Sequence, residues 1–578
     1  MIEELEDEIL NQYLGGRGLG VRILCDNLKK GADPLAPENI MIFTIGPLTS
    51  TVVPTSGRFS LVTKSPLTNT IMHSNSGGFW GTIFKRCGFD ALYITGKLKG
   101  EPGYLLIDGP NVEIKDGKDL WGLTTEKAVE KVREIEGKCQ VLVIGPAGEN
   151  LVRIASVMNQ GHRAFGRGGV GAVMGSKKLK AIVVKNGTKK FPARDADHIK
   201  QLNIVAFDKI KVFPVTSQAL PLFGTAVMMK VINTFGMLPI NNNQKGYSRL
   251  IDSVSGEKLR EDFLEDDEGC VSCPIRCGRL TNTGEMKGKG PEFESLWALG
   301  PQCGIFDLKE ITHANYLCNS YGLDTISTGN TIACAMELQQ RNLLKDSSLK
   351  FGKAQILCDF IKKIAYKEDL GEELAEGSLR FSRKYKGTQY AMQIKGMELP
   401  AYDPRGAMGQ ALNFATSNRG ACHLTGYLIG MELLGVPKLI DRFSLAKSDQ
   451  LALRQNQSAV EDSLVVCKFV GFALGFDFQV RFLQAITGRD DITISQLIEI
   501  GERIYTLERL FNIREGFLRK DDTLPERFLK EPLREGPSKG RVVPLDRLLE
   551  DYYHVRQWNE KGIPKEELLT KLNLIRLK

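Results

Sequence analysis

The chain contains no long block of one charge sign, no internal repeat and no low-complexity tract. With 77 Lys and Arg set against 69 Asp and Glu, no nucleic-acid partner is implied. The most apolar long run, Leu464 to Phe476, covers only 13 residues and includes Lys468, too short and too charged for a membrane span. The first ten residues are acidic and lack a basic segment followed by an apolar core, so they do not read as a signal peptide. A cytoplasmic protein without membrane association is expected. What is present is ordinary globular material: 42% hydrophobic and 25% charged residues exclude disordered and fibrous classes. At 578 residues there is room for three or four domains' worth of chain and a buried cofactor. Twelve cysteines without a secretion signal read as metal ligands or reduced core thiols rather than a disulfide framework.

From Ile40 to about Val184, short β-rich runs recur at Ile40–Phe43, Ala91–Ile94, Tyr104–Ile107, Val141–Ile144 and Ala181–Val184, separated by Gly, Pro, Asn and Asp clusters. This part should be mainly sheet. A polar stretch from Lys185 to Ala196 then marks a boundary, and beyond residue 200 the pattern turns helical. Leu497, Ile500, Ile504, Leu507 and Phe511 fall on one helical face, with Thr493 and Gln496 placed to form a capping box. Arg519 to Pro544 reads as a long surface loop before a short helical tail.

Cys270, Cys273 and Cys277 form a C-x2-C-x3-C group in a loop with Pro274 and Gly278. Three soft anionic ligands so close together suit three corners of an iron-sulfur cube, with a distant cysteine as the fourth. Radical-SAM enzymes use the reverse order of intervals, and structural zinc prefers two C-x2-C knuckles, of which only one is present. Spacing alone does not choose the fourth ligand among nine remaining cysteines; Cys467 is one candidate. Gly166 to Gly171 matches G-x-G-x-x-G without a convincing strand before it, so a dinucleotide fold is not expected. Gly15–Gly20 and Ser74–Gly78 offer backbone amides to a phosphate, although each alone is more often a tight turn.

Together these stretches resemble the aldehyde ferredoxin oxidoreductase family from about residue 12 to about residue 530. The match runs in family order through Gly15–Gly20, Ser56–Phe59, Thr63–Leu67, Ser74–Gly78, Arg163–Gly175, the cysteine trio, Gly290–Leu296, Gly322–Ser327, Ala401–Gly406, Ala415–His423 and Asp462–Cys467. The resemblance implies an α+β fold: a β-rich N-terminal domain, residues 1–195, followed by two mainly helical domains, residues 196–410 and 411–578, with the cofactor at their junction. It further implies a tungsten or molybdenum centre held by two pterins, one 4Fe-4S cluster on Cys270, Cys273, Cys277 and Cys467, and a magnesium ion. Arg58, Asn75, Arg163 and Ala164 match residues at the pterin phosphates, the carbonyls of Asn75 and Ala164 facing the magnesium. The pterin motif D-x-x-G-L-C/D recurs as Asn319 to Asp324 and as Asp462 to Cys467, so Asn319, Asp324, Asp462 and Val466 are further pterin contacts. Asn319 replaces the family's aspartate, and Val465-Val466 replaces Gly-Leu.

The activity implied is oxidation of an aldehyde to an acid, with oxygen from water and electrons passing through the cluster to ferredoxin or a ferredoxin-like subunit. Glu294 and His423 match the active-site pair, Glu294 to take a proton from water and His423 to hydrogen-bond the aldehyde oxygen. Arg276 and Lys468 flank cluster ligands and could stabilise the reduced state. Glu310 and His313 could offer two ligands for a further metal, but a plain surface pair is favoured. Cys303, Cys318, Cys334 and Cys422 are taken as core thiols. A homodimer is expected. The alternatives are the catalytic subunit of an aromatic acyl-CoA reductase of the benzoyl-CoA type and, from another class, a non-catalytic iron-sulfur electron carrier or zinc-stabilised binding protein.

Overall fold

A computed structural model describes residues 2–577 and divides the chain as the composition suggests, strands first and helices after. The first sheet has four antiparallel strands in the order Ile71–Ser76, Phe59–Lys64, Met41–Thr44, Ala91–Ile94. Its two central strands are buried at every residue, so they carry no polar-apolar alternation. Helix Gly16–Asn27 covers one face, while Phe43 and Phe59 pack against Trp80 and Phe165 on the other. A second sheet of six strands runs Asn111–Asp116, Gly103–Asp108, Leu179–Lys185, Gln140–Val143, Val157–Asn159, Arg163–Phe165. All its pairs are antiparallel except Gly103–Asp108 with Leu179–Lys185.

The five apolar runs singled out in the sequence each become a strand. Phe59–Lys64, Ile71–Ser76 and Val157–Asn159 were not singled out, because Ser, Thr, Asn and His interrupt their apolar pattern. The glycine-rich run at 166–171 is preceded by a strand after all, Arg163–Phe165, and followed by helix Val170–Ser176. That strand belongs to an antiparallel hairpin rather than a βαβ unit, so the dinucleotide reading still fails on topology. Here glycine serves close packing: a Cβ on Gly171 would lie 2.4 Å from the Ser156 carbonyl.

The helical half is built on Ser448–Leu464 packed against Ile494–Arg514. The second of these begins with the expected reciprocal cap between Thr493 and Gln496. Between residues 519 and 544 the chain is irregular apart from two short helical turns, before helices Leu545–Val555 and Glu566–Lys571 close the chain. A three-stranded sheet, Leu264–Glu268, Gly278–Asn282 and Lys287–Lys289, interrupts the helices and carries the cysteine loop. Residues Val215–Thr234 are long and apolar enough by composition to span a membrane, a feature the sequence reading passed over. They form a broken helix of several short pieces, with Gly224 at one break, and Val215, Ala219, Leu220, Val227, Met228 and Val231 line the central cavity.

Candidate active site

Cys270 and Cys273 sit on the loop between the first two strands of the small sheet, and Cys277 lies just before the second. Cys467 arrives from elsewhere. At the end of helix Ser448–Leu464, Val465 takes a left-handed conformation (φ 59°, ψ 36°) that turns the chain back, and Cys467 follows. Thr55 joins the two segments: its N–H donates to the Ser272 carbonyl at 2.9 Å, and its carbonyl accepts from the Cys467 N–H at 3.2 Å. All four sulfurs wall one chamber of about 40 Å³ together with Thr55, Arg58 and Arg163. None is in a disulfide. Burial pushes Cys273, Cys277 and Cys467 above the usual thiol range, and the neighbouring cysteines push the same way. Such a set ionises only when a cationic centre stands among the sulfurs. Among the described residues, no three His, Cys, Asp or Glu side chains converge tightly enough for a single metal ion.

Beside this chamber lies a cavity of about 580 Å³ whose two ends differ. The sheet-side end is cationic. Strand pairing sets Asn75 opposite Ser60, and the Ser60 hydroxyl meets the Asn75 amide oxygen at 2.5 Å. Arg58 donates to the Asn75 carbonyl at 3.1 Å. Arg163 and Ala164 stand nearby on the hairpin, and Arg58, Asn75, Arg163, Ala164, Asn319 and Asp324 all reach the cavity wall. The sequence reading missed Glu268, which gathers His162 at 3.3 Å, Arg163 at 3.5 Å and Lys289 at 3.1 Å. The His162 contact, then the charges of Arg163 and Lys289, overcome burial and hold this carboxyl down at about 2. Cations held together by one internal carboxylate are suited to receive phosphate groups.

Asn319 donates to the Lys289 carbonyl at 3.2 Å, a bond aspartate could not make, so its amide has a local partner. Asp324 caps helix Thr325–Gln340 through the Ile326 N–H and also accepts from Arg167 at 3.2 Å. Asp462 and Val466 stand behind the wall rather than on it, both buried. Asp462 reaches the cavity only through partners: Asn75 donates to it at 2.8 Å, and Lys468 lies 3.2 Å away. Its other oxygen faces Arg17, fully buried, whose guanidinium also grips Glu508 with two bonds of 2.7 Å. The Gly15–Gly20 stretch thus acts as a seat, not a phosphate cradle. A Cβ on Gly16 would lie 2.3 Å from the Asp462 carbonyl, at a φ of +41°.

The helix-side end carries Glu294, in the first turn of Phe293–Leu299, and His423, in the loop after Met408–Thr416. Glu294 Oε1 lies 3.6 Å from His423 Nε2. The separation is that of an ion pair, but the charges are not. Burial lifts Glu294 to about 8, its one bond from the Ala401 N–H at 2.9 Å being too little to offset this. Burial, then the positive charges of Arg167, Arg419 and Lys468, hold His423 well below the usual imidazole range. At neutral pH the acid keeps its proton and the imidazole carries only one, so we read a neutral pair. Glu294 Oε1 and His423 Nδ1 are buried without a hydrogen-bond partner. Such orphaned groups await a ligand. Tyr402 and Tyr427 flank the imidazole, their ring centroids 5.7 and 6.3 Å from it.

Two arginines that the sequence reading missed build this end. Arg167 ties the Asp324 cap to the Ala421 and Glu398 carbonyls, joining both sides of the cavity. Arg419 donates to the His73 carbonyl at 2.6 Å and to Cys422 Sγ at 2.7 Å. Both arginines adjoin glycine in the sequence, a feature they share with several others, so no local signal set them apart. Cys303, Cys318 and Cys334 are buried core thiols, as expected. Cys422 is not of that kind: although burial alone would push it up, Arg419 pulls it below the usual thiol range. His313 is buried and meets the Thr283 hydroxyl at 2.7 Å, so it does not form a plain surface pair with Glu310.

Comparison with known proteins gives the family. Residues 1–186 match the family model of the aldehyde ferredoxin oxidoreductase N-terminal domain, and residues 201–574 match that of domains 2 and 3. The chain belongs to the aldehyde ferredoxin oxidoreductase family. It is 45% identical to a tungsten-containing aldehyde ferredoxin oxidoreductase of Thermococcus kodakarensis, over 98% of this chain and 95% of that protein. It is 44% identical to the protein of the same description from Pyrococcus furiosus, over the same shares. Among solved structures, the active site complex of benzoyl coenzyme A reductase with 1,5-dienoyl-CoA superposes with a TM-score of 0.85 at 25% identity, over 99% of this chain and 94% of that one. In this family member, then, the β-rich half and the helical half meet at the cavity just described.

Proposed function

We propose that this family member oxidises aldehydes to carboxylic acids with water as the oxygen source, at a tungsten bis-pterin beside one 4Fe-4S cluster, and passes the electrons singly to ferredoxin. The observation that carries this is the pair of Glu294 and His423, 3.6 Å apart and each with an unpartnered buried atom, on a cavity that adjoins a four-cysteine chamber. The residues fit the cofactors. Cys270, Cys273, Cys277 and Cys467 would hold the cluster, four soft thiol ligands lining one chamber. Arg58 and Arg163 would take the pterin phosphates, and the carbonyls of Asn75 and Ala164 a magnesium ion. Asn319 and Asp324 would border the pterins, with Asp462 and Val466 supporting them from behind.

When bound, the metal centre supplies a two-electron acceptor and an electrophile. The overall change is aldehyde plus water to carboxylate, three protons and two electrons. Proton handling falls to the chain, and the two roles expected from the sequence exchange. Glu294 carries its proton at neutral pH, on the Oε1 that faces His423 because Oε2 is engaged by Ala401. It is placed to donate to the aldehyde oxygen as negative charge grows there. His423 is unprotonated and is placed to accept the proton released by water. Apolar side chains from the broken helix, such as Leu220 and Val231, exclude bulk water from the same space.

Enzyme purified without oxygen should contain tungsten and iron and should reduce viologen with a panel of aldehydes. Turnover of benzoyl-CoA with no aldehyde activity would favour the reductase reading, which the solved structure named above suggests. Iron without tungsten would favour a simple electron carrier. We further assign the enzyme to the cytoplasm and to a homodimer, which sedimentation tests directly.

A further inference from the structure

Helix Ala196–Val212 exposes apolar side chains among the polar residues of its outer face. Ile204, Val205 and Val212 are 51%, 44% and 79% exposed, and Val52, on the loop beside the helix, is 60% exposed. Val52 and Ile204 share an open cleft with Lys200 and Lys211. Asn203 fixes the loop to the helix by donating to the Val52 carbonyl at 3.2 Å. Arg86, also exposed, bonds Ser50 at 3.0 Å on the same loop. Lys200 and Lys211 make no ion pair with any described residue, and Asp208 is the one acid on the cleft. An apolar centre with a basic rim is therefore exposed on one side of the molecule.

Its position gives it meaning. Three residues beyond Val52 stands Thr55, on the wall of the four-cysteine chamber and hydrogen-bonded to both cysteine segments. Three residues of chain reach at most about 11 Å, so the apolar centre lies a short path from the sulfurs. We propose that this face, centred on Val52 and Ile204 and rimmed by Lys200, Lys211 and Arg86, is where an acidic one-electron carrier docks to take electrons from the cluster. It rests on the ferredoxin partner of the reading above. The rim selects an acidic protein by charge and hastens its approach, while Val52 and Ile204 give it a dry contact.

The test compares wild type, Lys200→Glu/Lys211→Glu and Val52→Asp, all with cofactors in place, in aldehyde-driven reduction of a purified acidic 4Fe-4S ferredoxin and of viologen, which needs no docked protein. The double charge reversal should raise the KM for ferredoxin by about tenfold or more and flatten its dependence on salt. Val52→Asp should raise it by roughly threefold, and both variants should keep the wild-type viologen rate and aldehyde KM. A ferredoxin KM within twofold of wild type in both variants would overturn the proposal. So would a change in oligomeric state with that KM unmoved, which would assign the face to a second copy of the chain. Wild-type enzyme that reduces viologen but not ferredoxin would overturn both this docking face and the ferredoxin partner, and leave aldehyde oxidation standing. Failure with viologen as well would remove the aldehyde reading itself.

Discussion

Glu268 and Glu294 stand on the wall of one cavity, yet one is held at about 2 and the other at about 8. The difference is made by burial as well as by neighbours. Glu268, about one-third exposed, has an imidazole, a guanidinium and an ammonium within 3.5 Å, whereas Glu294 is shut away from water with one backbone N–H and, 3.6 Å away, an imidazole that burial disfavours from charging. One end of the cavity is built to gather negative charge, and the other to keep a proton where water would remove it. In this fold the boundary between those ends is also the boundary between sheet and helices.

Removing the proton-holding end should have the largest effect. Glu294→Gln keeps the shape and loses the transferable proton, so aldehyde-dependent kcat should fall by about 10²- to 10⁴-fold, measured with viologen. Wild-type activity should decline as pH rises through about 8, where Glu294 ionises. The next effect lies behind the sheet-side end. Arg17→Met strands the buried carboxylates of Glu508 and Asp462, which should cost about 3–5 kcal/mol in urea denaturation. Arg17→Lys should recover only part, having one donor group where the two-pronged bond to Glu508 needs a fork.

The two glutamates should also tilt stability against pH in opposite directions. Glu268 has its folded value below the ordinary 4.5, so its contribution is present above pH 4.5 and is lost as pH falls through about 2. With the side chain about one-third exposed, screening reduces this to about 1 kcal/mol, and Glu268→Gln should remove that acid limb. Glu294 has its folded value above 4.5, so the folded state keeps a proton that the unfolded chain gives up, and stability declines between pH 4.5 and about 8. Glu294→Gln should flatten that decline, as followed by thermal melts at pH 5 and pH 8. A shared slope in both variants would break the contrast. The smallest effect belongs to the seam between the ends. Val465 is a β-branched residue in a left-handed conformation, strained by about 1–2 kcal/mol. Val465→Gly should relieve that strain while losing its buried side chain, leaving stability within about 1 kcal/mol of wild type.

Local signals survived the passage from sequence to structure. The apolar strand runs, the Thr493 and Gln496 cap and the cysteine trio are each decided by a few consecutive residues, and each was legible. Glu294 and His423 were named through family resemblance, and the cavity brings them together; nothing in the spacing of 294 and 423 could do so. What could not be read was charge state, which depends on residues gathered from distant segments. Glu268 looks like one more acid in the run Leu-Glu-Asp-Asp-Glu until His162, Arg163 and Lys289 close on it. Arg17 hides in a stretch that invites a phosphate-loop reading, because its partners lie 445 and 491 residues away. The residues 215–234 resemble a span because many of their apolar side chains line the cavity or are buried beside it.

The clasp of Arg17 on Asp462 and Glu508 bears on how the molecule is made. A chain emerging from the ribosome exposes the helix Gly16–Asn27 long before either carboxylate exists, so that arginine must remain hydrated until the segment carrying Glu508 has been translated. The cavity wall that rests on this clasp can therefore set only once the segments carrying Asp462 and Glu508 have both been made, so its assembly follows the order of synthesis.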